Sequence, residues 1–223
     1  MLLWGLLWSS GVLGKMDMKE KLFAFPKESS TSHVKLIPEL RGPFGEATVC
    51  MRFHSDLTRH YSLFSLATDN NIDNAFLLYY YPGSMFSLSV NNNDRYYYPQ
   101  DNDFTEWTSI CAAWNSSVWV VQIDGKVYKK NVMPNGQIKA DASIIIGQEQ
   151  DSYGGSFSAS DSFVGEITDL NMWDKALTDG DMLDYFAGNE MNGNVLNWNA
   201  LNYTITEDVN RYPYVDPYPC IPV

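Results

Sequence analysis

Histidine and cysteine are scarce in this chain, with three of each in 223 residues. That excludes a disulfide-dense scaffold, and no His/Cys cluster has the spacing that holds a transition metal. Positive charge is short as well. Fifteen Lys and Arg stand against 27 Asp and Glu, giving a formal net charge of −12. Such an acidic field repels nucleic acid and anionic lipid and favours cations, so no nucleic-acid partner is expected. No run of about 20 apolar residues occurs, so no transmembrane helix is expected. The sequence has no H-E-x-x-H, G-x-S-x-G, phosphate-binding loop or dinucleotide fingerprint. His33, His54 and His60 lie on or beside strand-like runs with no Ser or Cys motif near them. An enzyme is therefore not expected. The one enzymatic alternative is a glycoside hydrolase, which needs two positioned carboxylates. Glu149 and Asp151 have the i, i+2 spacing that shares a strand face, but no third carboxylate follows at that spacing.

What is present is β-rich. Hydrophobic residues make up 45% and aromatics 14%, enough for a packed core. Runs of β-branched and aromatic residues between turn residues predict strands over 22–25, 33–37, 46–54, 61–67, 76–81, 86–90, 105–114, 118–123, 127–132, 143–146 and 163–173. Asp124-Gly125 predicts a tight hairpin, because a type I′ turn needs positive φ twice. One helix is expected, capped by Thr178 with Asp181 three residues on, carrying Met182, Leu183 and Phe186 on its apolar face and closed by Gly188. No linker divides the chain.

Residues 1–14 are apolar and uncharged and too short to span a bilayer, and they read as a secretory signal peptide. A secreted, extracellular protein follows from that reading. Residues 15–209 then form one domain, and 210–223 a Pro/Tyr-rich extended tail. Cys50 and Cys111 lie in strand-like runs where a bridge is plausible, while Cys220 is left over in the tail as a free or intermolecular thiol. Asn115-Ser116-Ser117 and Asn202-Tyr203-Thr204 are glycosylation sequons. Two patches are rich in oxygen donors: Asp69 to Asn74, and Glu149-Gln150-Asp151 followed by Gly154-Gly155 and Asp161. Calcium takes six to eight such oxygens from loops. Asp and Asn also favour turns for their own local hydrogen bonds, so composition leaves both readings open.

The run Ile144-Ile145-Ile146-Gly147-Gln148-Glu149-Gln150-Asp151-Ser152-Tyr153-Gly154-Gly155-Ser156-Phe157 resembles the most distinctive segment of the pentraxins. Phe25-Pro26-Lys27-Glu28-Ser29, Val164-Gly165-Glu166-Ile167, Asn171-Met172-Trp173-Asp174 and Val195-Leu196-Asn197-Trp198 match in the same order, over roughly residues 15–205. The resemblance implies an all-β, two-sheet antiparallel jelly-roll sandwich with one short α-helix. It also implies one or two calcium ions per subunit and a homopentameric ring.

In the family's cysteine signature Cys111, Trp114 and Ser116 match, while Ser109 and Ala113 depart from it. The resemblance implies a Cys50–Cys111 disulfide. It assigns Asp73, Asn74, Glu149, Gln150 (through its carbonyl), Asp151 and Asp161 to calcium. Ser158 stands where the family usually has glutamate, and Asp161 where it has glutamine. One well-formed site and one weaker or rearranged site are therefore expected. The family's phosphocholine pocket maps to Tyr79, Ser89 and Asp94, with phosphate on the calcium and the quaternary ammonium on an aromatic face. Phosphoethanolamine and acidic sugars are further candidate ligands. Asp124 matches a position implicated in complement engagement. The implied role is calcium-dependent pattern recognition in innate immunity and the acute phase. The alternative is a structural or interaction protein with weakened calcium binding.

Overall fold

The computed structural model describes residues 14–40, 42–69, 71–99, 104, 106–133, 136–139, 141–189 and 191–214. The signal-peptide reading and Cys220 fall outside these residues, except for Gly14. Two antiparallel sheets of seven strands each form the molecule. The first has the order β10 (Lys126–Asn131), β9 (Val118–Ile123), β8 (Thr108–Trp114), β3 (Ala47–His54), β12 (Gly165–Trp173), β1 (Lys21–Phe25) and β14 (Asn210–Pro213). The second has the order β13 (Tyr203–Thr206), β2 (His33–Leu36), β11 (Ala142–Ile146), β4 (Tyr61–Thr68), β5 (Ile72–Tyr81), β6 (Met85–Val90) and β7 (Asn93–Tyr97).

The period-2 pattern decides which face each residue takes. On β3, Ala47, Val49, Met51 and Phe53 join the central core, while Cys50 points to a smaller cluster on the outer face. On β5, Phe76, Leu78 and Tyr80 belong to the central core. The intervening Leu77 and Tyr79 are buried as well, at 7% and 6% exposure. Strands buried on both faces must be covered on the outside, and each sheet has its own cover.

The first sheet carries helix α1 (Asp179–Phe186). Its capping box forms as expected: the Thr178 hydroxyl accepts from the Asp181 amide, and the Asp181 carboxylate accepts from the Thr178 amide. Gly188 follows with φ of 81°. The expected apolar face is only partly realised. Met182 is buried against Cys50, Cys111, Ala113, Val120, Trp173 and Leu177, whereas Leu183 is 47% exposed. A helix one layer deep on a sheet buries a narrow stripe, and Leu183 lies beside it.

Asp124 and Gly125 both take positive φ, 45° and 79°, as the tight hairpin between β9 and β10 requires. The disulfide Cys50–Cys111 forms between directly opposed residues of β3 and β8. Four strands differ from the sequence reading. β13 was not expected and pairs with β2 at the edge of the second sheet. β5 begins at Ile72 and so takes in Asp73 and Asn74, which had read as loop. β7 carries the polar stretch Asn93-Asp94-Arg95, which hides its strand character. Asn210–Pro213 opens the expected tail but pairs with Lys21–Ala24 of β1 as an edge strand, where a proline is tolerated.

Candidate calcium and ligand face

The second sheet is covered by the segment from Gly147 to Ser162, and this segment brings the two oxygen-rich patches together. It leaves β11 at Gly147, whose φ is 91°. A Cβ there would stand 2.2 Å from the Phe25 ring, so only glycine allows the chain to turn past that ring. Gln148 then anchors the segment, donating from Nε2 to the carbonyls of Ser29 (2.6 Å) and Ser32 (3.1 Å).

Gln150 is a second anchor. Its Nε2 donates to the Ser65 carbonyl (2.9 Å) and the Ser143 carbonyl (3.1 Å), and its Oε1 accepts from the Gly154 amide (2.9 Å). The Gln150 side chain is therefore committed to the fold. The two amides pin the residues on either side of Glu149.

Glu149 is 9% exposed. Burial, and then the charges of Asp151, Asp161 and Asp73, push its carboxyl up to about 7. These four carboxylates share one field. Asp73 sits at the start of β5, where its Oδ1 accepts from the Asn74 amide (3.0 Å). The β6–β7 turn holds this stretch: Asn92 Oδ1 accepts from the Asn74 amide (3.1 Å), and the Asn92 amide donates to the Asn74 carbonyl (3.0 Å). Asn91 and Asn92 both have positive φ, the backbone that a two-residue hairpin demands. The side-chain Oδ1 of Asn74 is buried without a hydrogen-bond partner.

Asp161 ends the 3₁₀ turn Ala159–Asp161. Arg59 clamps that turn, donating to the carbonyls of Ser160 (2.9 Å) and Ser162 (2.7 Å) while its Nε meets Glu28 at 3.3 Å. Asp161 accepts a hydrogen bond from the Tyr79 hydroxyl, and His60 Nε2 lies 3.5 Å from its Oδ1. The His60 ring stacks on Tyr79 at 6.0 Å. Burial first, then the Asp161 contact, raises the Tyr79 phenol. Ser158, at the start of the turn, shares a hydrogen bond with the Ser160 hydroxyl (2.8 Å).

An orphaned amide oxygen on Asn74, next in sequence to one of four mutually repelling carboxylates, fits a hard, oxygen-seeking cation such as calcium. No three His, Cys, Asp or Glu side chains among the described residues converge as a tight metal cluster. The donor set fits calcium only when the amide and carbonyl oxygens are counted with the acids. Arg59, His60 and Asn92 had no signal in the sequence, because their partners lie on other strands and turns.

Beside this patch, Ser89 donates to Asp94, its directly opposed residue on β7. Tyr79, Ser89 and Asp94 thus share the outer face of three adjacent strands. Asp124 lies on the other sheet, where its Oδ1 accepts from the Ser109 amide (2.8 Å). A groove of about 720 Å³ also lies on that sheet, between α1, Arg52, Asp169 and Tyr214. It is remote from the carboxylates. The Asn115 Oδ1 accepts from the Ser117 amide (2.9 Å) and the Val118 amide (2.8 Å), which makes the first sequon a tight turn. The Asn202 carbonyl accepts from the Ile37 amide (2.9 Å). No helix among the described residues is long and apolar enough to cross a membrane.

Comparison with known proteins agrees with this architecture. The Pentaxin family model matches residues 21–213. The chain is 40% identical over 209 residues to C-reactive protein of Xenopus laevis, covering 92% of this chain and 87% of the relative. It is 39% identical over 204 residues to serum amyloid P-component of Mus musculus, covering 90% and 88%. The native heptameric SAP-like pentraxin from Limulus polyphemus superposes with a TM-score of 0.75 at 26% identity, covering 89% of this chain and 97% of that one. By its family model, its relatives and its two-sheet fold, the chain belongs to the pentraxin family, as a recognition protein and not an enzyme.

Proposed function

We propose that this pentraxin is a secreted, calcium-dependent pattern-recognition protein of innate immunity. It binds phosphocholine, phosphoethanolamine or acidic carbohydrate ligands on microbial and damaged-cell surfaces. The observation that carries this is the orphaned Asn74 oxygen on the residue after Asp73, one of the three carboxylates that crowd Glu149. Asp73, Asn74, Glu149, Asp151 and Asp161, with the Gln150 carbonyl, would hold one or two calcium ions. Calcium there would offset the repulsion among the carboxylates and offer open positions to phosphate oxygens. Tyr79, Ser89 and Asp94 would meet the organic cation.

A ring of subunits would set these faces side by side and raise avidity by about 10²–10⁴. The family reading favours five subunits, and the Limulus relative forms seven. Complement engagement on the other sheet, near Asp124, belongs to the same proposal.

The test is retention on phosphocholine and phosphoethanolamine resins in calcium, followed by EDTA. Retention with release by EDTA is the expected result. A protein that binds calcium yet is retained by neither resin would overturn the phosphate reading. The second reading, a scaffold with weakened calcium binding, rests on Ser158 in place of an acid. It requires that chelation leave thermal stability unchanged, whereas a calcium-binding module melts lower in EDTA.

A further inference from the structure

The fold gives the two Asn-x-Ser/Thr sequons opposite settings. Asn115-Ser116-Ser117 is the turn between β8 and β9. The Asn115 Oδ1 accepts from the Ser117 amide (2.9 Å), the Ser117 hydroxyl (3.2 Å) and the Val118 amide (2.8 Å). The Asn115 amide closes the turn on the Val118 carbonyl at 3.2 Å. The carboxamide oxygen is thus committed to the turn. Nδ2 lies on the other side of the same planar group and donates to none of the described residues. Ser116 and Ser117 are exposed, and Asn115 lines a groove of about 520 Å³ beside the start of α1. A large substituent on Nδ2 has room there without disturbing the turn.

Asn202-Tyr203-Thr204 is held differently. Before it, Leu201 exchanges both backbone hydrogen bonds with Met16, at 2.8 and 2.9 Å. After it, Tyr203 opens β13 and buries its ring 4.9 Å from Phe23. Between these two fixed residues the Asn202 Oδ1 is buried, with no hydrogen-bond partner among the described residues. No turn presents this side chain, because the backbone runs straight into the edge strand. The order of formation also differs. The Asn115 turn needs only neighbouring residues and forms early, as local structure does. The Asn202 setting exists only once β13 has paired with β2.

We infer that Asn115 is an N-glycosylation site and that Asn202 is left unmodified. The inference rests on the reading that the chain is secreted, since this modification belongs to the secretory route. In the transfer, Nδ2 gives one proton to a base of the transferase and bonds to the anomeric carbon of the first sugar. The bond from that carbon to the pyrophosphate of a lipid-linked oligosaccharide breaks, and the lipid pyrophosphate leaves with the electron pair. A glycan is bulky and hydrated, so it needs a surface turn. At Asn115 it stands at the groove that the Lys129–Asp179 ion pair borders. β8 and β9 belong to the first sheet, whereas Asp73, Tyr79 and Asp94 belong to the second. The glycan therefore leaves the calcium and ligand face open.

The experiment expresses the full chain in cultured vertebrate cells and collects the medium. Mass is compared before and after digestion with peptide N-glycosidase. The wild type should reach the medium and lose one glycan on digestion. Asn115→Gln and Ser117→Ala should abolish the mass shift, while Ser117→Thr and Asn202→Gln should keep it. Asn115→Gln also removes the side chain that closes the turn. Ser117→Ala removes only the hydroxyl that the sequon requires, so it tests the site with the turn's Asn115 cap in place. A secreted wild type with no shift overturns the inference and leaves the secretion reading intact. A shift that survives Ser117→Ala and disappears in Asn202→Gln overturns it as well. If the chain stays inside the cell, the secretion reading fails. Residues 15–223 are then placed behind a foreign signal sequence, and a secreted product without a glycan on Asn115 overturns the site by itself.

Discussion

At the scale of single residues, Glu149 ties the metal site to stability. Its carboxyl is raised to about 7 by burial and by three neighbouring carboxylates, against an ordinary value of 4.5. Between those values the folded protein without metal holds a proton that the unfolded chain has released. Stability in EDTA therefore falls as pH rises through this window, by on the order of 1–3 kcal/mol. Thermal melts in EDTA from pH 5 to 8 should show the decline, Glu149→Gln should flatten it, and excess calcium should reverse it. A wild-type slope equal to that of Glu149→Gln would refute the assignment.

Gly147 is a second residue-scale case. Alanine there meets both a left-handed backbone and the Phe25 ring at 2.2 Å. Gly147→Ala should lose about 2–4 kcal/mol, seen as a lower midpoint in denaturant titration. Both residues stood in the run that carried the family resemblance. Their physical roles were not legible there, because Phe25 and Asp73 are distant in sequence.

At the scale of elements, the 3₁₀ turn Ala159–Asp161 is too short to fix its own position, and Arg59 does that from the loop before β4. Arg59→Ala should weaken calcium affinity about tenfold, as loss of a ligand-orienting contact does, with little change in the far-UV spectrum. Equal calcium affinity in the variant, measured by titration, would show that the turn holds itself.

The helix was legible to its cap because capping is local: Thr178 and Asp181 are three residues apart. Its buried face was less legible, since the choice between Met182 and Leu183 depends on where the disulfide cluster of the first sheet lies. β7 was missed because an edge strand with one exposed face is allowed to be polar, and Asn93-Asp94-Arg95 uses that freedom.

At the scale of the whole molecule, the disulfide joins the centre of the first sheet across 61 residues. That loop contains β4 to β7, the strands that carry Asp73, Tyr79 and Asp94. Closing it stabilises the fold by about 4 kcal/mol in the chain-entropy model. The double substitution Cys50→Ala/Cys111→Ala should show that loss in denaturant titration and should release calcium at lower denaturant than the parent. A loss under about 1 kcal/mol would mean that strand pairing alone holds the loop closed.

What the sequence determined by itself was local or periodic: the β class, the Asp124-Gly125 hairpin, the helix cap and the oxygen-rich patches. The family resemblance added the sandwich and the candidate ligands. The tertiary structure alone decided that Asp73 and Glu149 share one field, that Arg59 holds the turn bearing Asp161, and that His60 meets Asp161 itself. Each of these is a contact between strands or turns far apart in the chain. Such neighbours are chosen by sheet order and register, and the chain reveals those only when both sheets have closed on their core.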